Sequence, residues 1–328
     1  MQNTIDYYTR EVERGERSKL YLHALKKQLN RINVFLGPSC DLRSFNQQTW
    51  NDLIESLRKD SPITHNTIKH YKAAIGSVFS TAMINGDITT VPQLILKKQS
   101  NDSKPKVWFT AAEYSGILSH IRKMIRQYEN PETGNSQLDN SLRSHLFDMK
   151  ELYLRVMFGL NSGLRPEEIS RLKMSAVTIV KDGDEKYLGE QAHYLELRDF
   201  EGKKFQFGQC QTEYGAAVAF RRILELRGIT EKEARTSDEL VFKHNHRDLF
   251  KKILRELNLY TSPVGKRDLH ALRHSYACHM IIKGQDIRWV AANMRSSVQM
   301  LEKSYLRWLD VFLKSPAERR KYREIPVD

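Results

Sequence analysis

Between Lys97 and Lys106 the string KKQSNDSKPK carries no apolar side chain, and it separates two stretches that are rich in apolar residues at helical spacing. A segment with nothing to bury, built from Ser, Asn, Pro and Lys, reads as an exposed, extended linker. One hydrophobic core rarely serves 328 residues, so this break predicts two cores: a domain over 1–98, a linker over 99–106 and a larger domain over 107–328.

The first domain reads as all-helical. Leu20, Leu22, Leu25, Leu29, Ile32 and Phe35 recur at near-helical spacing before Gly37-Pro38, which predicts one long helix over 5–36. A short helix is expected near 47–58. The segment HNTIKHYKAAIGSVFSTAMING then sets Ile68, Tyr71, Ile75, Val78, Phe79, Ala82 and Met83 on one stripe and stops at Asn85-Gly86.

After the linker, Thr110 with Glu113 three residues on forms a capping box that predicts a helix start. YENPETGNSQLDNS (128–141) is polar and turn-rich, a surface loop. Residues 146–160 are apolar and helical, and Pro166 suits a first helical turn. Over 193–211 the period changes: HYLELRDF and KFQFGQCQ alternate around EGK, which predicts a β-hairpin with its tip near Gly202. Helices resume from 215. The fold class is therefore mainly α with a small β-hairpin or sheet.

Composition narrows the function. No apolar run approaches about 18 residues, and the N-terminus carries acids where a signal peptide needs apolar residues, so a membrane span or Sec export is not expected. Cys40, Cys210 and Cys278 are odd in number and far apart, which suits a reducing, cytoplasmic setting. Lys and Arg number 53 against 40 Asp and Glu, a net charge of +13, which makes a polyanion such as nucleic acid the leading partner class.

Three short segments carry the chemistry. GLRPEEISRLK sets Arg165 at a helix start, where anions are already favoured. DLHALRHSYACHM brings His270, Arg273 and His274 within one helical turn. MLEKSYLRWL carries Tyr305, 32 residues after Arg273.

In this order the segments resemble the tyrosine recombinase (phage integrase) family, which cleaves DNA with a tyrosine nucleophile set among Arg, Lys, His and Arg. GLRPEEISRLK resembles its first arginine box, with Arg165 and Glu168. DLHALRHSYA resembles its second, His-x-x-Arg, with His270 and Arg273, and SVQMLEKSY resembles the segment that ends at the nucleophile, Tyr305. The resemblance implies a helical core-binding domain followed by a catalytic domain. It also implies a hairpin lysine, Lys203 by position with Lys204 as neighbour. The family's His or Trp, nine residues before the tyrosine and following a Gly, is replaced here by Ser296 following Arg295. Serine can still donate to a phosphate oxygen but lacks imidazole's charge and bulk, and Arg295 is an alternative substitute.

The residues support that chemistry independently. A phosphodiester under attack gains charge on its non-bridging oxygens, and Arg165 with Arg273 can grip them in forked pairs, with no metal or cofactor called for. Tyrosine, with a pKa of about 10, needs help to lose its proton, and His270 is the candidate base. A hairpin lysine can protonate the departing 5′ oxygen.

The resemblance implies double-stranded DNA as substrate, a tetramer on paired DNA sites, accessory DNA-bending proteins as an open partner class, and a place with the nucleoid in the cytoplasm. A type IB topoisomerase-like relaxase and a non-catalytic DNA-binding descendant are the rival functions. Zinc on His270, His274 and Cys278, which recur every four residues, would leave Arg165, Arg273 and Tyr305 unexplained. His244 and His246 in KHNHRD read as loop residues rather than ligands. Tyr71 and Tyr276 read as packing residues, and Trp289 and Trp308 as core or interface. The segment after Tyr305, apolar and then basic, resembles tails that family members dock on a neighbouring subunit.

Overall fold

The computed structural model describes residues 1–37, 40–60, 62–96, 106–129, 140–181, 193–201 and 207–306. Its chain divides into two compact units, Met1–Asp102 and Ser103–Asp328. Most of the linker string, the loop over 130–139, the hairpin turn with Lys203 and Lys204, and the tail with Trp308 lie outside the described residues.

The first unit holds α1 (Gln2–Glu13), α2 (Lys19–Leu36), α3 (Gln47–Asp60) and α4 (His65–Ile84). The single helix expected over 5–36 is two helices, broken at Gly15, whose φ of 75° a helix cannot carry, and restarted by the Ser18 side chain accepting from the Tyr21 N–H. The apolar stripe is also narrower than its spacing suggests. Leu25, Leu29 and Ile32 are buried, while Leu20 sits on the first turn and is 79% exposed, and Met83 lies at the exposed end of α4. The core is Leu29, Ile32, Trp50, Leu53, Ile68, Tyr71, Ile75 and Phe79. Each fully buried side chain of this size contributes about 1.5–3 kcal/mol.

The second unit is built on α6 (Asn140–Ser162), which is buried almost all round from Met149 to Ser162, as a central helix must be. α5 (Ala111–Glu129) starts at the expected capping box: the Thr110 N–H donates to Glu113 Oε2 at 2.8 Å, and the Glu113 N–H to Thr110 Oγ1 at 3.2 Å. After α6 come α7 (Pro166–Ile169) and a three-stranded antiparallel sheet in the order β1 (Val177–Lys181), β2 (His193–Glu201), β3 (Phe207–Gln211). β2 and β3 are the expected hairpin. β1 was not legible, because VTIVK is a short run without alternation.

α8 (Tyr214–Arg227), α9 (Glu231–Ala234) and α10 (Arg247–Glu256) follow, then a small hairpin of β4 (Thr261–Ser262) and β5 (Gly265–Lys266). The unit continues through α11 (Leu269–Ile282), α12 (Ile287–Asn293), α13 (Val298–Leu301) and a π-helical turn over Glu302–Leu306. Tyr276 is buried in the core of these last helices, while Trp289 is 38% exposed, contrary to a core role within this chain. No helix among the described residues is long and apolar enough to cross a membrane.

Candidate active site

The site begins where α6 ends. Gly163 takes φ 64°, and a Cβ on it would lie 2.4 Å from the Tyr276 ring, so the turn requires glycine for both conformation and space. Leu164 is buried behind this turn, and Arg165 becomes the N-cap of α7, with Pro166 in the first helical position.

Glu168 fastens Arg165 in place. The Arg165 N–H donates to Glu168 Oε2 at 2.8 Å and its Nη1 to Oε1 at 2.8 Å, while Nη2 reaches the Arg295 carbonyl at 3.5 Å. Glu168 is 3% exposed and also forms an ion pair with Arg295. Burial alone would raise its pKa, but the Arg165 amide, the Arg295 charge and the Arg165 guanidinium together hold it below the usual carboxylate value.

The second arginine comes from α11, which Asp268 opens by accepting the His270 N–H at 2.8 Å. Arg273 is 4% exposed, and its fork donates Nη1 to the Gly163 carbonyl and Nη2 to the Met294 carbonyl, each at 2.6 Å. It thereby ties the end of α6 to the end of α12. Burial first, then the Arg165 charge, bring its pKa to about 10, which still leaves it cationic at neutral pH.

Tyr305 lies on the π turn, 7% exposed, with its hydroxyl 2.5 Å from His274 Nδ1. Burial pushes the phenol well above its ordinary range, and Arg273 and Arg165 pull the other way. The His274 ring sits against the His270 ring, with centroids 4.9 Å apart. His274 is driven down to about 3 by burial and then by the His270, Lys106 and Arg273 charges, and His270 is lowered by burial and then by Arg273. With the proton of the neutral imidazole on Nε2, His274 Nδ1 accepts from the Tyr305 O–H, and with it on Nδ1 the imidazole donates to the phenol oxygen instead.

Arg165, His270, Arg273 and Tyr305 thus converge, since the charges of both arginines act on His270 and on Tyr305. Ser296, next in the chain to Arg295, is half-buried, and its backbone N–H closes the end of α12 on the Ala291 carbonyl at 2.8 Å. Arg295 holds φ 50° where the resemblance expects glycine. Its guanidinium lies 4.3 Å from the Phe200 ring centroid and is paired with Glu168, while its Nη1 has no partner. Lys203 and Lys204 lie outside the described residues, but the strands that carry their turn are anchored. Asn293 accepts the Gln211 N–H and donates to the Gln211 carbonyl, each at 2.8 Å. His274 is the partner of Tyr305 that the motifs did not single out, although its i+4 spacing from His270 was the available signal.

A cleft of about 590 Å³ opens beside His270 and His274, with Lys106, Lys266 and Lys303 among its lining residues. His270, His274 and Cys278 do not form a metal-binding group. Among the described residues, the side chains of three or more such residues come close enough to share an ion only at Asp148, His244 and His246.

No protein-family model matches this chain, and no curated protein matches it. Solved structures do. The XerH site-specific recombinase bound to palindromic difH substrate, a post-cleavage complex, aligns at TM-score 0.62 and 14% identity over 89% of this chain and 78% of that one. A lambda integrase dimer bound to a COC′ core site aligns at TM-score 0.58 and 14% identity over 99% and 95%. The Tn1549 transposon integrase in complex with transposon right end DNA aligns at TM-score 0.55 and 16% identity over 92% and 94%. Together with the arginine forks and the buried tyrosine beside them, these alignments establish that the chain has the tyrosine recombinase fold.

Proposed function

We propose that this protein is a site-specific DNA recombinase that cleaves and rejoins DNA through a 3′-phosphotyrosyl intermediate. The observation that carries the reading is the Tyr305 hydroxyl held against His274, beside the fastened guanidinium groups of Arg165 and Arg273. Phosphate entry brings the scissile group beside the two guanidinium groups, whose charge and remaining N–H donors stabilise the charge developing on the non-bridging oxygens. Tyr305 Oη bonds to phosphorus as the bond from phosphorus to the 5′ oxygen breaks. The phenolic proton passes to a neighbouring imidazole, His274 by contact or His270 beside it, and the 5′ oxygen takes a proton from Lys203 or Lys204. The phosphotyrosyl bond keeps the energy of the broken linkage, so a second 5′ hydroxyl can reseal it without ATP.

Ser296 sits in this scheme as a hydroxyl donor to a non-bridging oxygen, with the unpartnered Nη1 of Arg295 as a second donor. The helical first unit acts as a core-binding DNA-binding domain, and the substrate is double-stranded DNA with assembly on paired sites. The net charge of +13 supports broad contact with phosphates and predicts affinity that falls steeply with salt. The tail after Leu306 is proposed to join subunits.

One pair of observations favours a non-catalytic descendant: Tyr305 is buried, and Arg295 with Ser296 replaces the residue pair the resemblance expects. A duplex nicked beside the scissile phosphate separates the readings, because the freed fragment diffuses away and traps the intermediate. A denaturation-resistant protein–DNA species is expected, and its transfer to a second duplex distinguishes a recombinase from a relaxase. Absence of any such species, with duplex binding intact, leaves the non-catalytic reading standing.

A further inference from the structure

The loop between α9 and α10 brings KHNHRD against α6, on residues the strand-cleaving site does not use. Ligand atoms of Asp148, His244 and His246 lie within 4.8 Å of one another. His244 Nδ1 is 2.7 Å from Asp148 Oδ1. The two imidazole centroids are 5.9 Å apart with their planes 79° apart.

His246 makes this more than a surface network. Its side chain is 2% exposed, and neither ring nitrogen has a hydrogen-bond partner. A buried imidazole with both nitrogens unsatisfied is costly unless something binds there.

Glu151 completes the surroundings. It is fully buried and accepts from Arg227 Nη2 at 2.7 Å and from the Lys243 N–H at 2.9 Å. Its Oε2 stands 3.3 Å from His246 Nε2 and 3.7 Å from His244 Nδ1. A carboxylate on the second nitrogen of a metal-bound imidazole is the usual means of orienting it, a place Glu151 holds for His246 when Nδ1 is the ligand atom. With Glu151 neutralised by Arg227, Asp148 supplies the anionic ligand.

We infer that Asp148, His244 and His246 form a binding site for a first-row divalent cation of the zinc class. Two imidazoles and one carboxylate are a zinc donor set, and metal–ligand distances of about 2.0–2.2 Å place tetrahedral donors about 3.3–3.6 Å apart, so His244 Nδ1 and Asp148 Oδ1, 2.7 Å apart, open slightly while any wider spacing within the 4.8 Å group closes. Three protein ligands leave the fourth position of a tetrahedral ion to water, and the ion would brace the loop that supplies two of them. Arg155 donates Nη1 to the His244 carbonyl at 2.7 Å and Nη2 to the Pro166 carbonyl at 3.2 Å, so fixing this loop also fixes the start of α7, next to Arg165.

The test is metal binding by the full-length protein, stripped with a chelator and titrated with Zn²⁺ against a chromophoric competitor, with melting curves in parallel. One Zn²⁺ per chain and a higher melting temperature are expected. His244→Ala and Asp148→Asn, at partly exposed side chains that the fold tolerates, should weaken binding by about 100-fold or more, beyond what loss of an orienting partner costs. His270→Ala should bind Zn²⁺ as the parent does. Failure to bind one equivalent, binding unchanged in His244→Ala, or loss of binding in His270→Ala instead would each overturn the assignment.

Discussion

The hydroxyl of Tyr305 stands 2.5 Å from Nδ1 of His274, one helical turn beyond His270 on the same helix. The phenol is thereby parked on a neutral imidazole inside the core of the last helices. Tyr305→Phe keeps that packing and removes only the oxygen. It should bind DNA as the parent does and form no covalent adduct with a nicked duplex, measured on a denaturing gel. An adduct formed by the variant would exclude Tyr305 as nucleophile.

Arg165 and Arg273 each use the fork of the guanidinium: one spans Glu168 and the Arg295 carbonyl, the other the Gly163 and Met294 carbonyls. An ammonium group cannot make both contacts of such a fork. Arg165→Lys and Arg273→Lys should each lower single-turnover cleavage by about 100-fold or more. Near-parental rates in both variants would remove the phosphate clamp.

Glu168 holds two arginines while buried, so Glu168→Gln leaves both guanidinium groups short of a counter-charge. Loss of one partner from a buried ion pair costs about 3–5 kcal/mol. Because the folded carboxyl is depressed, its contribution is fully present above the unfolded pKa of about 4.3 and is lost as pH falls through the folded value. Denaturant melts should show a large gap between parent and Glu168→Gln at neutral pH that narrows as the pH falls below about 4. A gap independent of pH would assign the effect to packing.

His274 has the opposite chemistry and the same direction. Its folded pKa of about 3 lies below the ordinary 6.5, so in the window between them the unfolded chain binds the extra proton. Stability should therefore fall as pH drops from about 6.5 toward 3, and His274→Gln should flatten that slope by up to one proton. His279, lowered to about 4 with burial as the main cause, keeps part of the slope in the variant. Parallel slopes for parent and variant would show that His274 is not held neutral by the fold.

Gly163→Ala should destabilise twice over, through a positive φ that costs an L-residue about 1–2 kcal/mol and through the clash with the Tyr276 ring. Gly228 has the same φ of 64°, and a methyl group there would meet nothing within 4 Å, so Gly228→Ala isolates the backbone cost. The Gly163 variant should melt lower than the Gly228 variant. Equal losses would show that the Tyr276 ring yields.

What the sequence determined by itself was local. Helix starts at Thr110 and at Pro166, the stop at Asn85-Gly86, the switch to alternation over 193–211 and the spacing of His270 from Arg273 all depend on residues within a few positions of one another, where side-chain type dictates backbone geometry. The break at Gly15 was present in the same string but was hidden by the apolar spacing around it. The tertiary structure decided which distant groups meet. Glu168 pairs with Arg295, 127 positions on, because Arg273 ties the end of α12 to the end of α6. His274 rather than His270 touches Tyr305 because the π turn brings the phenol across the second turn of α11. His244 and His246 read as loop histidines until α6 set Asp148 and Glu151 against them. Such pairings arise from the packing of elements far apart in the chain, and apolar periodicity marks which face of an element is packed but not which distant element it meets.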